Sequence, residues 1–197
     1  MVLKTMSEVQ QYLLESVVDV PEMAWAGTLI GGGEGIAPEL CAKLKLPDSY
    51  VDVATEFRLA GVSIGLFNLS PSMRTLEEGL LEENANDSLV RQFGDTTLVA
   101  VGCYESNPIC VASAASEHAG RVYFLDVMTA VHWKIFDVAD DFERFIILAA
   151  NFFKISDVYA GNRPAAQTAM TEICDFLHCS DEQVSFWNQE LMVSLFD

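Results

Sequence analysis

The stretch TLVAVGCYESNPICVASAASEHAGRVYFLDV, residues 97–127, decides the fold class. It contains three short runs rich in β-branched and aromatic residues, which are separated by turn formers such as Asn107-Pro108 and Gly120. A fourth run, VHWKIF, follows at residues 131–136. Because strands joined by short turns pair with their neighbours in the chain, these runs predict an antiparallel meander.

The fourth run alternates apolar and polar residues, which is typical of a strand with one buried and one solvated face. Val131, Trp133 and Ile135 fall on the predicted buried face. His132 and Lys134 fall on the predicted solvated face.

The residues before the meander predict mostly helices. Ser7 and Gln10 form a capping box at the start of a helical pattern, and Pro38 stands where a second helix would begin. Residues 48–57 repeat apolar side chains at helical spacing. Residues 63–69, SIGLFNL, are a short apolar run bounded by turn residues and predict a strand.

Three helical segments are predicted after the meander. Asp140 and Glu143 are expected to cap the first of them, and its apolar stripe contains Phe142, Phe145, Ile146, Ala149 and Phe153. The other two cover 164–178 and 180–195, and the last begins with a capping box of Ser180 and Gln183. This order predicts one α+β domain over residues 1–197, an antiparallel sheet with helices packed on one side and extra C-terminal helices.

The charge of the chain narrows the classes of partner. Its 29 acidic and 11 basic residues give a net charge of −18, which repels nucleic acid and anionic membranes and attracts basic proteins. The sequence has no run of about 18 apolar residues, and its first residues, MVLKTMSEVQQ, contain no apolar core long enough for a signal peptide. We therefore expect a cytoplasmic protein with a protein partner, and the oligomeric state stays open.

The acidic run TLEEGLLEENAND, residues 75–87, is the most pronounced local feature. Leu76, Leu80 and Leu81 are expected to anchor a helix whose remaining surface is acidic. This surface is either a solvated helix face or a binding surface for a basic partner. The candidate partner-binding residues are Glu77, Glu78, Glu82, Glu83 and Asp87, followed by Asp140 and Asp141.

The glycine-rich stretch GTLIGGGEGIAPELCAKL, residues 27–44, resembles a nucleotide loop only in part. A dinucleotide fingerprint would place its third glycine at Ile36 or Pro38, and the Lys of a P-loop is absent. Glu34 would also oppose a phosphate. We therefore expect a turn between Gly31 and Gly35, with no nucleotide or other cofactor.

The nucleophiles and potential metal ligands form no recognised motif. His118, His132 and His178 lack a partner at metal-ligand spacing, the five cysteines lack C-x-x-C spacing, and no serine occupies a G-x-S-x-G elbow. The sequence therefore predicts no metal site and no catalytic constellation. An enzyme that uses Cys103, Cys110 or His118 is a separate, weaker hypothesis.

Residues 38–153 resemble the SUKH superfamily. Leu46, Pro47 and Tyr50 match its opening motif, Gly120 and Val122 match a Gly-x-Val turn into a strand, and Phe142 and Phe145 match the start of its closing helix. Ala60-Gly61 replaces the family's Asn-Gly, Ala112 replaces an Asp, and Asp141 replaces a Ser. Residues 163–197 fall outside the match and form a C-terminal helical extension.

The resemblance implies a non-enzymatic α+β module. Bacterial members of this superfamily are frequently immunity proteins that bind and neutralise a cognate polymorphic toxin, often a nuclease. The resemblance and the charge together predict an immunity protein for a basic toxin domain. The alternative is a regulatory or scaffold adaptor that binds a cellular protein through the same module.

Overall fold

The computed structural model describes residues 2–16, 29, 31–70, 75–127 and 133–191. The helices are α1 (Met6–Ser16), α2 (Pro38–Leu44), α3 (Asp48–Glu56), α4 (Leu76–Glu83), α5 (Leu89–Phe93), α6 (Phe142–Val158), α7 (Arg163–Phe176) and α8 (Asp181–Ser185). A π-helix at Phe186–Leu191 continues α8 directly. The strands are β1 (Ser63–Ile64), β2 (Phe67–Asn68), β3 (Leu98–Tyr104), β4 (Asn107–Ala112), β5 (Val122–Asp126) and β6 (Lys134–Ala139).

The strands form one antiparallel sheet in the order β1-β2-β3-β4-β5-β6. Every strand pairs with its neighbour in the chain, which confirms the predicted α+β fold and the meander from β3 to β6. In the centre of the sheet Val99 lies opposite Val111, and Ile109 lies opposite Phe124. The irregular register between Ala100 and Gly102 marks a bulge in β3.

Helix α6 supplies the centre of the main core. Phe142, Phe145, Ile146 and Ala149 are buried as the stripe predicted, and Phe153 is half-buried. The Phe145 ring lies 5.7 Å from that of Phe67 in β2, in a T-shaped arrangement that aromatic pairs favour. The helix is therefore attached to the sheet by its aromatic face.

The two faces of the sheet differ in their cover. Val99 and Val101 in β3 face the main core, which also contains α6 and α7. Leu98 and Ala100 face the other side, where they form a small cluster with Val90 of α5. The larger helices therefore lie on one face, and the short helix α5 covers part of the second.

The predicted buried face of the fourth run is wrong for Ile135. Ile135 pairs with Leu125 on the second face and is 40% exposed, whereas Phe136 and Val138 face the main core. The Trp133 ring stacks on Phe93 on that second face, with centroids 6.1 Å apart. Lys134 is exposed as predicted, whereas Ile135 and Trp133 lie on the second face and not in the main core; Val131 and His132 lie outside the described residues.

The apolar run 63–69 is a hairpin of two short strands rather than one strand. Gly65 adopts a φ of +59° in the turn between β1 and β2, a conformation that side chains disfavour. A Cβ at Gly65 would lie 2.9 Å from the Phe153 ring. The glycine therefore allows both the turn and its close approach to α6.

The cap of α1 lies two residues earlier than predicted. The Glu8 carboxylate accepts hydrogen bonds from the backbone N–H groups of Lys4 (2.6 Å) and Thr5 (3.0 Å), and Thr5 Oγ1 accepts from the Glu8 N–H at 3.3 Å. Thr5 and Glu8 thus form the capping box in place of Ser7 and Gln10. The backbone of Leu3 also pairs with buried Asn151 in α6, which fixes this end of the helix.

The C-terminal segments belong to the same core as the sheet. Phe186 and Trp187 in the π-helix are fully buried, and Trp187 Nε1 donates a hydrogen bond to the Val138 carbonyl in β6 at 2.9 Å. The predicted capping box of Ser180 and Gln183 at the start of α8 is confirmed. The helical extension is therefore an integral layer of the domain.

Candidate functional site

The acidic run forms helix α4, whose start is set by Thr75. Thr75 Oγ1 accepts a hydrogen bond from the Glu78 N–H at 3.1 Å, which caps the first turn. Leu76 and Leu80 are buried in the main core as predicted. Leu81 is 42% exposed, so the expectation that it anchors the helix is wrong.

Asn84 attaches the end of α4 to the sheet. Its Nδ2 donates to the Ala100 carbonyl and its Oδ1 accepts from the Ala100 N–H, both at 2.9 Å. The side-chain amide therefore pairs with one residue of β3 as a neighbouring strand would. Asn84 also donates to the Leu80 carbonyl at 2.9 Å, so the acidic helix is held in a defined position on the sheet.

The carboxylates of this segment have different surroundings. Glu77 Oε1 accepts a 2.6 Å hydrogen bond from the Ala37 N–H at the start of α2, so it joins two helices. Glu78, Glu82 and Asp87 are exposed. In the described part of the chain these three side chains have no hydrogen-bond or ion-pair partner.

Glu83 is half-buried at the last position of α4. Burial, followed by the repulsion of Glu82, raises the pKa of Glu83 above its ordinary value. The C-terminal end of a helix also disfavours negative charge. Glu83 therefore carries its charge at a cost in stability.

Asp140 and Asp141 form a separate, partly neutralised group. Asp141 Oδ1 accepts the Arg144 N–H at 2.8 Å, so the cap of α6 is Asp141 and the predicted cap of Asp140 with Glu143 is wrong. Asp140 contacts Arg121 at 3.2 Å and Arg144 at 2.8 Å. The two acids lie beyond β6, three strands from the β3 strand that α4 contacts, so the structure does not bring them together with the α4 carboxylates.

The group around Asp140 continues into the protein interior. Asp137 is buried and binds Arg121 at 2.7 Å and Gln183 at 2.8 Å, while Gln183 also donates to Asp140 at 3.1 Å. Burial raises the pKa of Asp137, although the hydrogen bond from Gln183 and the charge of Arg121 oppose this effect. This network connects β6, α6 and α8 and has a structural role.

A second exposed acidic stripe on α3 was missed by the sequence reasoning. Asp48, Asp52 and Glu56 are spaced four residues apart and are all exposed, so they share one helix face. Glu56 also contributes, after burial and Asp141, to a raised pKa at Glu143 in α6. The four-residue spacing of these three acidic residues was the sequence signal that could have identified the stripe.

The glycine loop contacts the C-terminal end of α3. The N–H groups of Gly32 and Gly33 donate to the Glu56 carbonyl, and that of Gly35 donates to the Ala54 carbonyl, at 2.9–3.3 Å. These amides therefore satisfy helix carbonyls. A Cβ at Gly33 would approach the Ala54 carbonyl oxygen too closely, which explains the glycine.

The thiols and imidazole of the enzyme hypothesis lie apart. Cys103 is near the turn between β3 and β4, whereas His118 is in the turn at the opposite end of β4, 3.4 Å from Glu117. Cys110 lies between them but is fully buried, which raises its pKa. The described residues contain no group of three or more His, Cys, Asp or Glu side chains arranged to hold a metal ion.

No family model, curated protein or solved structure matches the chain. The resemblance to the SUKH superfamily therefore rests on the motif residues named above. Within the described ranges, no helix has the length and apolar character needed to cross a lipid bilayer.

Proposed function

We propose that the protein binds and neutralises a basic protein, namely a polymorphic toxin domain of the nuclease type, through the acidic surface of α4. The observation that carries the proposal is the exposure of Glu78 and Glu82 on a helix that Asn84 fixes to the sheet. Their carboxylates are without a partner in the described structure. They are therefore free to contact cations of another molecule.

Carboxylates elsewhere in the domain are less suited to this role. Asp140 and Asp141 already bind Arg121 and Arg144, so a partner would have to displace these contacts. Glu77 holds the start of α2. Among the candidate residues, we therefore assign the first contact to Glu78 and Glu82, and a further contact to Asp87 in the turn that follows α4.

Charge complementarity explains how such a surface would neutralise a nuclease. A nuclease domain carries basic groups where it binds nucleic-acid phosphates, and carboxylates on a fixed helix can occupy the same groups. The net charge of −18 attracts a basic partner from a distance and accelerates association. Apolar contacts in the interface would then set the dissociation rate.

The test is the double variant Glu78→Lys/Glu82→Lys, with Glu172→Lys/Asp175→Lys as the matched control. Both pairs are exposed on helices, and both variants change the net charge equally. The binding partner for the test is any toxin domain that a gene beside the one for this protein encodes. We expect the α4 variant to associate about tenfold more slowly at low salt, and the control to change association much less.

The association rate should also fall as salt rises from about 10 mM to about 150 mM, because the Debye length shortens from about 30 Å to about 8 Å. Equal rates for the two variants would contradict the role of α4.

Two results together would favour the adaptor alternative. The neighbouring genes would encode no toxin, and the protein would capture a basic cellular protein that the α4 variant fails to bind. Protection of cells that express the toxin is the direct readout of neutralisation.

A further inference from the structure

Helix α7 ends in a Schellman motif that contains two cysteines. The Cys179 N–H donates to the Cys174 carbonyl at 2.9 Å, and the His178 N–H donates to the Asp175 carbonyl at 3.2 Å. His178 adopts a φ of +57°, the left-handed conformation this motif requires. The motif normally brings the side chains of its first and last residues into contact, and here both are thiols.

The two cysteines are neighbours at this helix end but differ in exposure. Both cysteines are in the reduced form, and the backbone hydrogen bond holds the two residues next to each other. Cys174 is fully buried in the main core, whereas Cys179 is half-buried at its edge. Cα atoms must lie roughly 4.4–6.8 Å apart for a disulfide, and the backbone hydrogen bond between the same two residues enforces a separation of this order.

The two thiols are chemically unequal. The neighbouring Cys174 thiol lowers the pKa of Cys179, whereas the Cys179 sulfur and burial raise the pKa of Cys174. Arg144 also lowers the pKa of Cys179, while its burial and the charges of Asp140 and Asp137 oppose this. Cys179 is therefore the thiol that ionises more easily and the one that a small oxidant reaches first.

We propose that Cys174 and Cys179 form a redox-active dithiol that hydrogen peroxide converts into a reversible disulfide. The Cys179 thiolate attacks one peroxide oxygen, which breaks the O–O bond, gives a sulfenic acid and releases hydroxide. The Cys174 sulfur then attacks the Cys179 sulfur, loses its proton and expels the hydroxyl group as water. Two thiols are oxidised, and one peroxide is reduced to two waters.

The disulfide would constrain the corner between α7 and α8. Ser180 follows Cys179 directly and caps α8 through its capping box with Gln183. Gln183 in turn holds Asp137 and Asp140. Oxidation at Cys179 would therefore constrain the corner between α7 and α8, and this corner positions Gln183 in the polar network.

The experiment treats the reduced full-length protein with hydrogen peroxide and maps its thiols by mass spectrometry without a reducing agent. The expected product is one intramolecular link between Cys174 and Cys179, reversed by dithiothreitol. The denatured protein should then lose two of its five reactive thiols. Before oxidation, iodoacetamide should modify Cys179 faster than Cys41, which is also half-buried and whose pKa burial raises.

Two variants keep the test sharp. In Cys174→Ser the sulfenic acid at Cys179 has no thiol to react with, so dimedone should trap it there, and Cys179→Ser should leave Cys174 reduced. Circular dichroism establishes that each variant is folded. Oxidation of Cys41 or Cys103 before Cys179, an intermolecular disulfide instead of the internal one, or no dimedone adduct in folded Cys174→Ser would each overturn the proposal.

Discussion

At the scale of single residues, burial separates carboxylates that the sequence presents as equivalent. Glu82 and Glu83 are adjacent in the acidic run, yet Glu82 is exposed and Glu83 is half-buried. The raised pKa of Glu83 means that its ionised form is disfavoured in the folded protein. Its charge opposes folding at neutral pH, whether or not a partner later uses it.

We predict that Glu83→Gln raises the free energy of unfolding at pH 7. In the wild type, the unfolded chain loses the Glu83 proton near its ordinary pKa of 4.5, before the folded protein does. The free energy of unfolding therefore falls as the pH rises through the raised pKa of Glu83 in the folded protein. Glutamine does not ionise, so the Glu83→Gln variant does not lose this stability.

The measurement is urea denaturation of both proteins at pH 7 and below pH 4.5, where their difference should shrink. Glu78→Gln is the control, because Glu78 is exposed. A Glu83→Gln variant that is less stable than the wild type at pH 7 would contradict this account.

The residue contacts that escaped the sequence reasoning are long-range. The chain offers two adjacent capping-box patterns for α1, and the contact of Leu3 with Asn151, far away in sequence, accompanies the one that begins at Thr5. The Glu77 carboxylate likewise accepts a hydrogen bond from the backbone N–H of Ala37, which lies at the start of α2. A pattern of local spacing identifies a helix start or an acidic face, but it cannot identify such partners.

At the scale of elements, the C-terminal π-helix shows most clearly that the helical extension cannot be separated from the domain. The Trp187 ring lies among those of Phe67, Phe145 and Phe152, with centroids 5.7–6.3 Å away. It also satisfies the Val138 carbonyl. This element closes the core over the sheet, so its removal would expose the interior.

We predict that Trp187→Ala lowers the free energy of unfolding by about 3–5 kcal/mol, because it leaves a cavity and an unpaired carbonyl. Val184 in α8 is only half-buried, so Val184→Ala should lower the free energy of unfolding by less. Chemical denaturation followed by far-ultraviolet circular dichroism measures both. Equal stability of Trp187→Ala and the wild type would show that the π-helix is dispensable for the core.

The sequence predicted the longer elements better than the short ones. The runs that became β3 to β6 were bounded by turn residues, and the stripe of α6 was long enough to fix its buried face. Strands β1 and β2 have two residues each, too few for an alternation to appear, and Gly65 was their only turn signal. Ile135 was misplaced because both faces of the sheet carry apolar residues.

At the scale of the whole molecule, the charge is far from balanced by internal pairing. Ion pairs among the described residues include Arg121, Arg144 and His118 as cations, far fewer than the 29 acidic residues of the chain. A net charge of −18 therefore produces repulsion across the folded surface. That repulsion favours association with a cationic partner and disfavours the compact state when the protein is alone.

We predict that monovalent salt raises the Tm between about 10 mM and about 300 mM, because shorter Debye lengths screen this repulsion. The variant Glu172→Lys/Asp175→Lys, which is less acidic, should show a smaller rise. Differential scanning calorimetry at fixed pH measures both. A Tm that is constant or falls with salt would mean that attractive surface pairs dominate instead.

The pairing of Asn84 with Ala100 has a consequence for self-association. Strand β2 covers only the end of β3, at Cys103 and Tyr104, so the edge around Ala100 could accept a strand from another molecule. Asn84 occupies the N–H and C=O of Ala100, and Arg91 contacts the Leu98 carbonyl at 3.5 Å. The end of the acidic helix and α5 thus occupy the place where the strand of another chain would add, and we expect them to protect this sheet edge from templated fibril growth.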